Sequence, residues 1–155
     1  LSHPRGEPRP QQALHPSWGS PSKCMIVSSL INLYETRNSC GRGSTVVFVV
    51  TAGIHVLMGE LPVYGAVKLA LHYVVEDLRA ELEERGVRVL AVYPGLVRTE
   101  FHRRAGRNVE GGVDPAKVAR EVAHAISEGR KRLYVPRYLA MLRLLGPYLP
   151  LIKGT

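Results

Sequence analysis

The sequence predicts an α/β fold built on a parallel β-sheet. Two runs, "STVVFVV" at residues 44–50 and "VRVLAVY" at residues 87–93, are short, β-branched and apolar at nearly every position. Strands covered on both faces read this way, and that is the habit of parallel sheets. Between them lies "PVYGAVKLALHYVVEDLRAELEERG", residues 62–86, with the length and charge pattern of one helix. Strand, helix, strand with short joints is a βαβ unit.

The elements follow in order. Residues 1–23 are rich in Pro, Ser, Gln and Gly and show neither helical nor strand period, so they read as an irregular tail. "MIVSSLINLYE", residues 25–35, fits a short helix or a strand. The first strand ends at Thr51-Ala-Gly, and a loop through Gly59 and Pro62 leads into the helix. That helix is expected to bury Leu69, Tyr73, Val74, Leu78 and Leu82 and to stop at Gly86. Pro94-Gly95 ends the second strand. Residues 100–113 are polar and glycine-rich, a long loop. Asp114-Pro115 supplies an N-cap and a first-turn proline for a second helix reaching about Glu128, stopped by Gly129. "RLYV", residues 132–135, is a third strand. The expected organisation is an atypical segment at 1–40, a catalytic portion at 41–136 and an apolar, basic tail at 137–155.

The chain has 155 residues, enough for one domain. Its net charge of +8 attracts phosphates or anionic membrane surfaces, but no nucleic-acid motif accompanies it, so nucleic acid is not an expected partner. Cys24 and Cys40 lie outside any CxxC pair, and the histidines form no metal-binding cluster. Reduced thiols and no visible secretory signal point to a cytoplasmic location. Residues 133–152 are interrupted by Arg137, Arg143 and prolines and make a poor membrane span.

Tyr64 and Lys68 are four residues apart on the predicted helix and share a face. A nearby ammonium favours a phenolate, so such a pair can exchange a proton near neutral pH. By spacing alone the signal is weak, and an ordinary boundary contact is the commoner reading. Its context adds Thr51 at one strand end and "YPGLVRT" at the next. Strand ends of a parallel sheet converge on a crevice where ligands bind.

"YGAVK" at residues 64–68 and "PGLVRT" at residues 94–99, preceded by a hydroxyl residue at a strand end, resemble the short-chain dehydrogenases/reductases. The resemblance spans roughly residues 43–136 and implies a partial doubly wound, Rossmann-like sheet. It implies NAD or NADP as cofactor and interconversion of a carbonyl and an alcohol. Tyr64 would be the general acid/base. Lys68 would lower its pKa and hold the nicotinamide ribose, and Thr51 would bond the substrate oxygen. Pro94, Gly95, Val97 and Thr99 would pack against the nicotinamide, and residues 100–113 would cover the substrate. Asn32 is the candidate for the family's helix asparagine. The family's TGxxxGxG and NNAG stretches do not occur, so the glycine-rich cofactor half is absent and activity of this chain alone stays open. A homo-oligomer is expected, because the Tyr64 helix lies in the region members use for pairing. The alternative is a non-enzymatic pairing or partner-binding module, or a membrane-surface module using the C-terminal tail.

Other polar residues have plainer readings. His55 reads as a surface-loop histidine and His72 as a packing residue. Arg103, Arg104 and Arg107 read as a solvated basic loop, and Glu81, Glu83 and Glu84 as an exposed helix face. For the apolar C-terminus, core or oligomer packing is the expectation, with a membrane surface or a substrate flap as alternatives.

Overall fold

The computed structural model describes residues 24–27, 39–57, 61–98, 111–145 and 149–150. The tail at 1–23, Asn32, Thr99, the three loop arginines and the last residues of the C-terminus lie outside them. Four strands form one sheet: β1 (Cys24–Val27), β2 (Thr45–Val49), β4 (Arg88–Pro94) and β5 (Arg132–Val135). They lie in the order β1-β2-β4-β5, and every pairing is parallel. β1 settles the ambiguous apolar run in favour of a strand, over its first residues. A second, two-stranded sheet pairs β3 (Val56–Leu57) with β6 (Leu149–Pro150).

Alternation along each strand sorts side chains to two faces. Val46, Phe48, Ala91, Tyr93 and Tyr134 enter one buried cluster with Leu71, Val75 and Leu82 of helix α1 (Pro62–Glu84). Val47, Leu90, Val92, Leu133 and Val135 enter the other, against Val118, Val122, Ala125 and Ile126 of helix α2 (Pro115–Ser127). The sheet is therefore sandwiched between helices, a Rossmann-like α/β arrangement.

Local signals set the ends. Asp114 caps α2 by accepting from the Ala116 N–H at 3.0 Å, and Gly129 follows with a φ of 65°. Gly86 closes α1 with a φ of 75°, a conformation that favours glycine. Its carbonyl then accepts from Gly43 N–H at 2.8 Å, tying the helix end to the start of β2.

The buried face of α1 differs from the expected one. Leu71, Val75, Arg79 and Leu82 are buried, whereas Leu69 is exposed and Tyr73 is 75% exposed. Val74 and Leu78 are half-buried, Leu78 against the core. The first two turns, which carry the Tyr64–Lys68 pair, bury little. Further along, Glu84 is exposed, but Glu81 and Glu83 are half-buried, and Glu83 receives Lys131 at 2.7 Å.

After β5 the chain forms a 3-10 turn (Arg137–Met141) and a short helix α3 (Leu142–Leu145). Leu139 packs on the core, while Tyr138, Met141 and Leu144 are exposed. Core packing thus claims only part of this segment. Among the described residues no helix is long and apolar enough to cross a membrane.

Candidate active site

Because the sheet is parallel, the ends of β2, β4 and β5 open on the same edge. Thr51 follows β2 and caps a 3-10 turn (Ala52–His55). Its hydroxyl donates to the Pro94 carbonyl at 3.2 Å and accepts from the Gly53 N–H at 3.2 Å. It thereby ties the end of β2 to the end of β4. Lys68 reaches the same edge: Nζ donates to the Val49 carbonyl, the last of β2, at 2.9 Å. That bond holds Lys68 Nζ 5.8 Å from the centroid of the Tyr64 ring. Tyr64 itself is 44% exposed.

The electrostatics run opposite to the expectation that Lys68 lowers the Tyr64 pKa. Burial raises the Tyr64 phenol above its ordinary value, and burial also lowers the Lys68 ammonium. Lys68 points its charge at a backbone carbonyl and the ring face, so partial desolvation of the phenol wins. At neutral pH Tyr64 is a protonated donor.

The glycine-loop residues divide. Pro94 is buried and ends β4, and Gly95 N–H donates to the Val135 carbonyl at 2.8 Å. A Cβ at Gly95 would lie 2.7 Å from Leu139 Cδ1, so the close approach here is to the following turn. Val97 forms a bridge with Val113, closing the described ends of the long loop. Thr99 lies outside the described residues, as does most of the expected cover.

A polar aromatic cluster that the sequence reading missed sits beside this edge. His55 is buried, not a surface residue, and Nε2 hydrogen-bonds the Tyr134 hydroxyl at 3.0 Å. His72 Nδ1 hydrogen-bonds the Tyr93 hydroxyl at 2.9 Å. The two tyrosine rings stack at 4.5 Å. Burial lowers both histidines below the ordinary 6.5 and raises both tyrosines. Beyond them Glu76 pairs with Arg132 and Arg79. Strand alternation held the missing signal. Tyr93 and Tyr134 are direct register partners, so both must face α1.

A donor set of an anchored ammonium, a half-exposed phenol and a buried hydroxyl suits the hydroxyl-rich nicotinamide-ribose end of a dinucleotide. The pyrophosphate end needs backbone N–H groups at a glycine-rich helix start. Both long helices described here begin with proline instead, at Pro62 and Pro115.

By its architecture the protein is a Rossmann-like α/β protein with polar groups gathered at the carboxyl edge of its sheet. The family model for short chain dehydrogenase matches residues 26–110. The chain belongs to the short-chain dehydrogenase family. It is 35% identical over 116 residues to an uncharacterized oxidoreductase of Mycobacterium tuberculosis, covering 71% of this chain and 43% of that protein. It is 29% identical over 108 residues to estradiol 17-beta-dehydrogenase 11 of Rattus norvegicus, covering 68% of this chain and 36% of that protein. The chain thus spans less than half the length of these relatives. Among solved structures, a short chain dehydrogenase from Burkholderia cenocepacia in complex with NADP superposes with a TM-score of 0.63 at 19% identity, over 79% of this chain and 62% of that one. One from Sphingobium yanoikuyae in complex with NADPH gives 0.57 at 21% identity, over 62% and 39%. At such identities the likeness is one of fold.

Proposed function

We propose that this chain is the catalytic portion of an NAD(P)-dependent oxidoreductase that interconverts a carbonyl and an alcohol. The observation that carries the reading is the Tyr64–Lys68 pair at the sheet edge, with Lys68 anchored on the Val49 carbonyl at 2.9 Å. The nicotinamide nucleotide, when bound, supplies or accepts the hydride. Tyr64 gives its phenolic proton to the carbonyl oxygen in reduction and takes the alcohol proton in oxidation. Lys68, anchored on the Val49 carbonyl, would hold the nicotinamide ribose. Thr51 orients the substrate oxygen, and to do so its hydroxyl turns from Pro94. Pro94, Gly95 and Val97, with Thr99 of the same motif, would be the residues that pack against the nicotinamide.

The test is a fluorescence titration of the 155-residue chain with NADPH and NADH. Saturable binding is expected, weakened about tenfold or more in Lys68→Ala, the loss of a charged hydrogen bond. No binding by a folded chain, or an unchanged Kd in the variant, overturns the half-site. With any carbonyl compound that is turned over, Tyr64→Phe lowers kcat by about 10²-fold or more. Near-full turnover removes Tyr64 from the acid/base role.

The apolar side chains that α1 leaves exposed, Val63, Val67, Leu69 and Tyr73, favour a second reading in which two copies pair through this helix. Sedimentation equilibrium showing a monomer at every concentration overturns it.

A further inference from the structure

The segment after β5, "RYLAMLRLL" at residues 137–145, has a three-residue repeat that matches the 3-10 turn it opens with. Leu139 faces inward and packs on the core, and Leu142 is half-buried. Tyr138, Met141 and Leu144 form an outward row, 69%, 67% and 85% exposed. Arg137, Ala140 and Arg143 form the third row, also exposed.

Residues 129–145 contain five basic side chains and no acidic one. Arg130 is paired with Glu128, Lys131 with Glu83 and Arg132 with Glu76. Arg137 and Arg143 have no ion pair among the described residues. Arg130, Arg132, Arg137 and Ala140 also line a shallow depression beside the apolar row.

An apolar row flanked by arginines that have no ion pair among the described residues fits a partner that is apolar inside and negative at its surface. We propose that Tyr138, Met141 and Leu144 insert into the interface of an anionic phospholipid membrane, with Arg137 and Arg143 on the headgroups. Tyrosine suits that boundary, because its ring is apolar and its hydroxyl is wet. One short row gives weak, reversible attachment, and its strength depends on the negative lipid and falls with salt. The proposal stands independently of the oxidoreductase reading.

The experiment is co-sedimentation of the 155-residue chain with phosphatidylcholine vesicles, with and without phosphatidylserine. Binding to the phosphatidylserine vesicles is expected, dropping at least about tenfold at high salt and in Arg137→Gln/Arg143→Gln. The exposed-site variant Tyr138→Ser/Met141→Ser/Leu144→Ser keeps its circular dichroism and unfolding midpoint and also loses at least about tenfold. No binding, equal binding to both vesicle types, or a serine variant that binds as the parent does overturns it. So does a drop in solution mass of the serine variant when the parent ignores vesicles, which makes the row a contact between copies.

Discussion

At the residue scale, the candidate positions could be read from the sequence, but their bonds could not. The spacing of Tyr64 and Lys68 on a helix places them together. It does not say that Lys68 turns to the Val49 carbonyl, nor that Thr51 spends its proton on Pro94. Those partners come from other strands and are fixed only when the sheet assembles. Gly95 makes the same point. In sequence it belongs to a motif read as a nicotinamide wall, yet its nearest steric demand is Leu139. Gly95→Ala places a methyl 2.7 Å from the tip of that leucine, a flexible group that moves at modest cost. The expected loss is about 1 kcal/mol of stability, typical of one added methyl in a packed site. In a double-mutant cycle with Leu139→Ala, urea unfolding should show the two losses summing to more than the double variant's loss. Strict additivity removes Leu139 as the reason for the glycine.

At the element scale, strands and helix ends were readable because their signals are local. A β-branched run buried on both faces, an Asp-Pro start and a glycine after the last turn each act over a few residues. The face of α1 was not readable. The helix carries apolar side chains on nearly all sides, at Val63, Val67, Leu69, Leu71, Tyr73 and Val75, so its period does not select a face. The sheet selects it, and only over the later turns that lie on it. Leu71→Ala should therefore cost about 3 kcal/mol, the usual price of a cavity at a fully buried leucine. Leu69→Ala and Tyr73→Ala should each stay within about 0.5 kcal/mol of the parent in thermal unfolding of the dilute chain. Equal losses at Leu71 and Leu69 contradict this placement of the helix.

At the scale of the whole molecule, polar contacts that the sequence hid join distant elements across the α1 face. His55 meets Tyr134 across 79 residues, and Glu76 meets Arg132 across 56. No local pattern encodes such pairs, yet they set how the protein responds to acid. Burial keeps His55 and His72 below 6.5 in the folded state, so on acidification the unfolded chain takes up protons first. Stability then begins to fall as pH drops below about 6.5. Burial alone would raise the Glu76 carboxyl, but hydrogen bonds from Arg132 and Arg79 outweigh it and hold the group below its ordinary 4.5. Its contribution is complete above that pH and is lost as pH falls through the lower folded value. Urea unfolding at stepped pH should accordingly show two stages of loss, the first starting near neutrality and the second below about 4.5. Glu76→Gln weakens the bonds to Arg132 and Arg79 and should cost about 2 kcal/mol at neutral pH, the worth of a charge-assisted hydrogen bond. The variant should lack the second stage while keeping the first, because its amide does not titrate. A variant that retains both stages would show that the acid response arises elsewhere than in the Glu76 contacts.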